Sequence, residues 1–425
     1  MLSMHIAQAQ ARRARKQAHD LRIGLAIAGG GPIGAMYELG ALRAIDEACI
    51  GLDLSRLDCY VGVSSGAFLA AGLANGMSTA QMCRIFLTGD SDDVVFRPAS
   101  FMRPAAREYL KRLGELPRLG ARLARDFALG DGDSRWSDVL TRLGGIVPTG
   151  LFDNAAVEAF LRDVFTRRGR SNDFRKLERP LYVVAVDLDT GEAVRFGDAG
   201  WDDVPISRAV QASAALPGLY PPVELTDRHG RSRHFVDGAL RRTMHASVVL
   251  ERGVDLMIGV NPLVPFNPAG EDDAAREHRF NDRRVANGGL PVVLSQMLRT
   301  MLQSRMQVGL ARYAQQYPDI DQFVFEPNAS DRDLFYSNAF SYAMRRRIGD
   351  QAYRNTLADL RANAEAIAPV LRAHGIRLDR RVIDDPDRSI TDGLPPPVRH
   401  SDATARLERA LDELEYRMQG RRGMV

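Results

Sequence analysis

The chain has 425 residues, 45% of them hydrophobic, enough for one large α/β domain with additions or for two domains. Its 57 basic and 54 acidic side chains leave a net charge of +3, too small to imply a nucleic-acid partner. The 3 cysteines, Cys49, Cys59 and Cys83, lie in apolar text with neither metal-ligand spacing nor a disulfide framework, which points to a reducing, cytoplasmic compartment.

Residues 1–20 form a basic arm with Arg12, Arg13, Arg15 and Lys16 but no apolar h-region, so they do not read as a standard secretory signal. The arm reads as a solvated tail, with a basic helix touching anionic lipid as the alternative. No apolar run is long enough to span a bilayer. Residues 22–28 then predict a buried strand, followed directly by Gly29-Gly30-Gly31-Pro32-Ile33-Gly34 and a helix over 35–45. Successive backbone N–H groups at such a helix start form an anion site. In an acyl hydrolase the anion is the oxygen of the tetrahedral intermediate, and each aimed donor contributes about 3 kcal/mol to the transition state. The same letters also spell a dinucleotide fingerprint, with Gly29, Gly31 and Gly34 in its glycine positions and Asp53 near the place of a ribose-binding acid. Neither this loop nor the second glycine motif, Gly62 to Gly66, has the Gly-Lys-Ser/Thr ending of a P-loop, which argues against nucleotide hydrolysis.

The next predicted strand, 57–61, runs into Gly62-Val63-Ser64-Ser65-Gly66 and then a helix-like 67–71. This strand–turn–helix setting is what a nucleophile elbow requires: a sharp turn exposes the Ser64 hydroxyl, and small residues on either side let the chains pass closely. A dinucleotide fold gives no reason for G-x-S-x-G at this place. Residues 90–149 form an insert in which Arg103, Arg107, Lys111, Arg112, Arg118, Arg122 and Arg125 alternate with leucines. It reads either as a lid meeting lipid head groups or as the solvated face of a packed helix.

A third constellation is Phe235-Val236-Asp237-Gly238-Ala239, an apolar strand ending in an acid and two small residues. Asp237 is placed to accept the serine proton, but a carboxylate of ordinary pKa, about 3.9, is a weak base and needs burial to serve. The bland alternative is an Asp-Gly turn. None of the 8 histidines occupies a triad position; His234 and His245 alone lie close to Asp237 in sequence. A Ser–Asp dyad is the economical reading.

Residues 254–260 predict another buried strand, and 265–289 a polar connection. The helix predicted over 290–313 carries Leu294, Met297, Leu298, Met301, Leu302 and Val308 on one broad stripe, read as core or as the lining of an acyl pocket. Residues 334–368 read as largely helical and packed over the sheet. Beyond Pro395-Pro396-Pro397, Ala403, Leu407, Leu411, Leu414 and Met418 recur at helical spacing, a helix to dock on the body or to pair with a second chain as a homo-oligomer.

The glycine loop, the G-x-S-x-G pentapeptide and Asp237-Gly238-Ala239, in this order, resemble the patatin-like phospholipase family. Gly150-Leu151-Phe152-Asp153, the run 181–187 with Thr190-Gly191-Glu192, and Ala212-Ser213-Ala214-Ala215-Leu216-Pro217-Gly218 add to the likeness, which covers 22–262 and, more loosely, extends to about 371. The resemblance implies a three-layer α/β/α fold with a parallel-rich central sheet and lipid acyl hydrolysis by a Ser–Asp dyad. It makes Ser64 the nucleophile, Asp237 its base, Gly29, Gly30, Gly31 and Gly34 the oxyanion loop, and Gly62, Gly66, Gly238 and Ala239 the frame of the two motifs. The domain reading is a basic arm (1–20), an acyl hydrolase domain (21–372) with its helical insert (90–149) and helical part (290–372), and a tail (373–425). Two departures stand out: Ile33 replaces a frequent Arg or Lys, and no Asn-x-Pro follows Ala239. The expected substrate is a phospholipid or other lipid ester, met through peripheral membrane contact, with no metal or organic cofactor. A dinucleotide-binding oxidoreductase and a non-catalytic lipid-binding protein of the same fold are the alternatives.

Overall fold

Five apolar runs are buried along their whole length: β2 (Ile23–Ile27) apart from its first residue, β4 (Cys59–Val63), β5 (Leu181–Asp187), β9 (Leu256–Val260) and β10 (Asp321–Phe325). Strands buried on both faces need cover on both faces, as in parallel sheets wrapped by helices. These five run parallel in the order β10-β9-β2-β4-β5. The computed structural model describes residues 1–7, 21–91, 94, 96, 101, 103–105, 149–265, 289–328, 331 and 342–394.

Antiparallel strands complete the sheet. β1 (Leu2–His5) closes the β10 edge, while β8 (Ser232–Asp237) follows β5 and β7 (Val223–Thr226) follows β8; β6 (Ala193–Phe196) also pairs with β5. A separate two-stranded pair joins β3 (Cys49–Ile50) to β11 (Arg377–Leu378). The period-2 alternation of the central strands splits the core in two. Leu25, Ile27, Tyr60, Val183 and Ala185 face a cluster built with α1 (Gly31–Ala48), α2 (Ser65–Ala74), α3 (Ala155–Phe165), α4 (Ile206–Ser213) and two later helices. Ala26, Ala28, Val61, Val63 and Val184 face a second cluster with residues 244–250 and with Met306 and Tyr313 of α5 (Gly289–Gln316). The result is three layers, as the resemblance implied. The later helices are α6 (Tyr342–Ala362), which lies against α1, and α7 (Ala364–Ala373). The α1–α6 crossing is close because Gly40 meets Gly349 there: a Cβ on Gly40 would stand 2.2 Å from the Gly349 carbonyl oxygen.

The predicted strands over 22–28, 57–61, 181–187 and 254–260 stand within two residues of their expected places, whereas the helices predicted over 35–45, 67–71 and 290–313 extend up to four residues beyond their expected ends. The exception is the start of the chain, which the sequence suggested as a tail or basic helix. Residues Leu2–His5 instead add a strand to β10, and the Ala7 N–H donates to the Asp321 carboxylate at 2.8 Å. A four-residue strand is too short for periodicity to betray, and it serves by capping an otherwise open sheet edge. The remainder of the basic arm (8–20), the insert with Arg107 to Arg125 (106–148), the polar connection (266–288), the start of the later helical stretch (332–341) and the tail helix with Ala403 to Met418 (395–425) lie outside the described residues.

Candidate active site

The path of β4 into α2 determines where Ser64 stands. Val63 pairs with Val184 of β5, so Ser64 falls just beyond the last ladder position, at the carboxyl end of the parallel strands. Open α/β sheets hold their ligands at that end. The turn is tight enough to demand bare backbone beside it. A Cβ on Gly62 would stand 2.4 Å from the Ala67 Cα, and one on Gly66 2.4 Å from the Ala28 carbonyl oxygen. Ser64 itself adopts φ 52°, ψ −121°, a region that non-glycine residues rarely enter. Such strain persists only where its surroundings hold it. Here the Ser64 N–H donates to Ser213 Oγ at 2.8 Å, and Ser213 Oγ–H donates onward to the Val184 carbonyl at 2.6 Å. Ser213 belongs to the stretch 212–218 that adds to the family likeness, but its role as anchor of the elbow depends on a partner 149 residues away.

Asp237 arrives from the opposite direction. β8 runs antiparallel to β5 and pairs Asp237 with Ala185, one position beyond Val184, so the strand ends level with Ser64. Gly238 permits this: a Cβ there would stand 2.2 Å from the Val184 carbonyl oxygen. The Asp237 side chain accepts the Ala239 N–H at 2.8 Å and faces the Ser64 hydroxyl. Burial pushes its pKa up to about 6, against the opposing pull of the Ser64 hydroxyl and the Ala239 N–H. That moves an intrinsically weak base toward the range where proton transfer is effective.

The glycine loop closes the third side. Gly29 lies between the two motifs, its would-be Cβ 3.0 Å from Ser64 Cβ and 3.2 Å from Ala239 Cβ. The four glycines expected as oxyanion donors differ in what their backbone N–H groups already hold. The Gly29 N–H goes to the Thr243 carbonyl (3.1 Å), the Gly30 N–H to Ser65 Oγ (2.8 Å) and the Gly34 N–H to the Gly30 carbonyl (3.1 Å). Gly31, at φ 64°, keeps an N–H with no partner among the described residues, and so does Ser65, the residue after the elbow serine. The Ser65 hydroxyl in turn donates to Glu38 Oε1 at 2.9 Å. Glu38 is fully buried, and desolvation raises its pKa well above the ordinary carboxyl range, against the opposing pull of the Ser65 hydroxyl. No sequence rule singled out Glu38, which reads as one more position of α1.

Ser64, Asp237 and Gly29 to Gly31 line one cavity. Its wall is aromatic: Phe68, Phe86, Phe96 and Phe101 line it, and with Phe160 behind they pack at ring-centroid distances of 5.0 to 6.1 Å. Leu216, Leu219, Leu298 and Leu302 extend the apolar lining, while Arg299 and Arg345 supply its cations. No histidine lines it among the described residues. His245 is buried under the Asp237 turn, its Nε2 3.3 Å from the Gly238 carbonyl oxygen, and burial pulls its pKa down to about 3. His234 is exposed on β8. Cys59 is inert by the same physics, its thiol pushed up to about 11 by burial. Asp53, the acid a dinucleotide reading would use, accepts the Ser55 N–H and hydroxyl at 2.9 and 2.6 Å and thereby closes a turn. Among the described residues no His/Cys/Asp/Glu cluster has the arrangement to hold a metal ion.

A family model described as patatin-like phospholipase matches residues 25–250. Uncharacterized NTE family proteins of Mycobacterium bovis and Mycobacterium tuberculosis are each 28% identical over 231 residues, which is 53% of this chain and 28% of theirs. The chain thus matches little more than a quarter of the length of these curated relatives. Among solved structures, VipD from Legionella pneumophila aligns at 18% identity and a TM-score of 0.30, covering 61% of this chain and 52% of that one. Human GIVD cytosolic phospholipase A2 aligns at 11% identity and a TM-score of 0.35, covering 90% and 68%.

Proposed function

The chain belongs to the patatin-like phospholipase family, and from that premise we propose that it is a lipid acyl hydrolase working through a Ser64–Asp237 dyad. The observation that carries this reading is the meeting of Ser64, held at φ 52°, with a buried carboxyl of raised pKa in an apolar cavity.

In the proposed reaction Asp237 takes the Ser64 proton as Oγ attacks the ester carbonyl. The tetrahedral oxyanion is held by the N–H groups of Gly31 and Ser65, two donors fixed before the substrate arrives. Collapse of the intermediate breaks the carbonyl–oxygen bond of the leaving alcohol, which receives the proton from Asp237. Water then attacks the acyl-enzyme, losing its proton to Asp237, and the acid departs as Ser64 Oγ is reprotonated. The aromatic wall suits an acyl chain, and the Arg299 and Arg345 side chains in the lining suit an anionic group of the substrate. Hydrolysis of a panel of phospholipids, lysophospholipids and neutral glycerides by wild type and Ser64→Ala tests the reading. Release of fatty acid by wild type alone supports it; release by both, or by neither, overturns it.

A further inference from the structure

The stripe on α5 that sequence periodicity assigned to the core or to an acyl pocket is divided between two faces. Leu298, Arg299 and Leu302 line the cavity, and Met306 and Tyr313 are buried. Leu294, Met297, Met301 and Val308 point outward and are 47, 53, 55 and 69% exposed. A surface helix ordinarily turns its large apolar side chains one way, toward the core. α5 carries them on both faces, and the outer ones recur at the three- and four-residue spacing of a single helical face.

Charge identifies what fits that outer face. Arg305 and Arg312 continue the same spacing and are exposed, whereas the 28 residues of α5 include no Asp or Glu although the chain has 54 acidic residues. An apolar strip with interleaved cations and no counter-charge is complementary to the head-group and acyl boundary of an anionic bilayer. A second copy is a poorer match, because a two-fold contact on this face sets one arginine-bearing strip against another. The strip borders the cavity lining, because the lining residue Leu298 is the i+4 neighbour of Leu294 and the i−3 neighbour of Met301, so a bilayer docked there meets the edge of the cavity wall. Among the described residues no helix is long and apolar enough to cross a membrane.

We infer that the outer face of α5, built on Leu294, Met297, Met301 and Val308 with Arg305 and Arg312, is the surface by which this protein docks on anionic lipid bilayers. The purpose of such docking rests on the lipid-hydrolase reading; its test does not. Flotation of the full chain with vesicles of non-hydrolysable diether phosphatidylcholine and phosphatidylglycerol measures docking without turnover, while a soluble p-nitrophenyl ester measures the dyad. Met297→Glu/Met301→Glu should lower partition onto the mixed vesicles by about tenfold or more, with hydrolysis of the soluble ester within about twofold of wild type. Arg312→Glu, placed away from the cavity lining, should lower the preference for anionic over neutral vesicles, and added salt should do the same to wild type. Undiminished partition of the Met variant overturns the inference, as does failure of wild type to float with anionic vesicles. A wild-type dimer that the Met variant dissolves with no change in flotation makes the strip a contact between chains and overturns it equally. If docking behaves as expected but no lipid ester is cleaved, the hydrolase reading fails and the docking surface stands.

Discussion

Gly30 gives its N–H to the Ser65 hydroxyl at 2.8 Å. That bond ties the glycine loop after β2 to the first residue of α2, and so joins the two backbone segments whose free N–H groups, those of Gly31 and Ser65, form the proposed oxyanion site. Glu38 completes the tie from beneath by accepting the Ser65 hydroxyl proton.

Removing the tie should loosen the site without removing any group that touches substrate. Ser65→Ala leaves the Gly30 N–H and the Glu38 carboxyl buried without their partner, at a cost of about 1–3 kcal/mol in stability. Misplaced donors reduce transition-state binding more than ground-state binding, so kcat should fall by about tenfold or more with KM little changed. Ser65→Thr keeps the hydroxyl and should recover most of the loss. A rise in KM at constant kcat in Ser65→Ala would show that the contact serves substrate binding instead.

If Asp237 is the base, as proposed, it sets the pH dependence of soluble-ester hydrolysis. With the Asp237 pKa pushed up to about 6, kcat/KM should climb about tenfold per pH unit below that value and level off above it. His245, held neutral with its pKa pulled down to about 3, does not titrate in that window. His245→Gln in a folded protein should therefore leave the inflection where it is. An inflection that disappears with His245 would transfer the role of base to the histidine.

The same burial has a consequence for folding. An unfolded aspartate titrates near 3.9, below the folded value of about 6. Between those values the folded protein retains a proton that the unfolded chain has released, so stability falls as pH rises through the window. Above it the full penalty, about 3 kcal/mol, is present. Asp237→Asn abolishes the penalty along with the base. Urea unfolding should find this variant more stable than wild type at about pH 8 and nearly equal to it at about pH 4. Equal stability at both values would mean that Asp237 is not desolvated in the folded protein.

Much of this site was legible in the sequence because its constraints are local. Gly62 and Gly66 flank Ser64 between an apolar run and a helix-like one, a strand–turn–helix placement, and Asp237-Gly238 ends an apolar strand. What was not legible depends on contacts between distant segments. Ser213 anchors the Ser64 amide across 149 residues of chain, and Glu38 reaches Ser65 across 27. Helical periodicity finds a stripe on α5 but not which side of it meets the core, since both sides are apolar. In the glycine loop, the N–H groups of Gly29, Gly30 and Gly34 have partners within the protein and that of Gly31 has none among the described residues, a distinction that spacing does not carry. Strand β1 was missed because four residues carry too little pattern to distinguish an edge strand from a tail.

The identity of the nucleophile is tested most directly by covalent capture. A fluorophosphonate probe reacts with an activated serine, and peptide mapping by mass spectrometry locates the adduct. The probe should label one site, Ser64, at one equivalent per chain, with Ser64→Ala unlabelled and Asp237→Asn labelled at least about a hundredfold more slowly. An adduct on any other residue, or undiminished labelling of the Ser64→Ala variant, would contradict the assignment of Ser64.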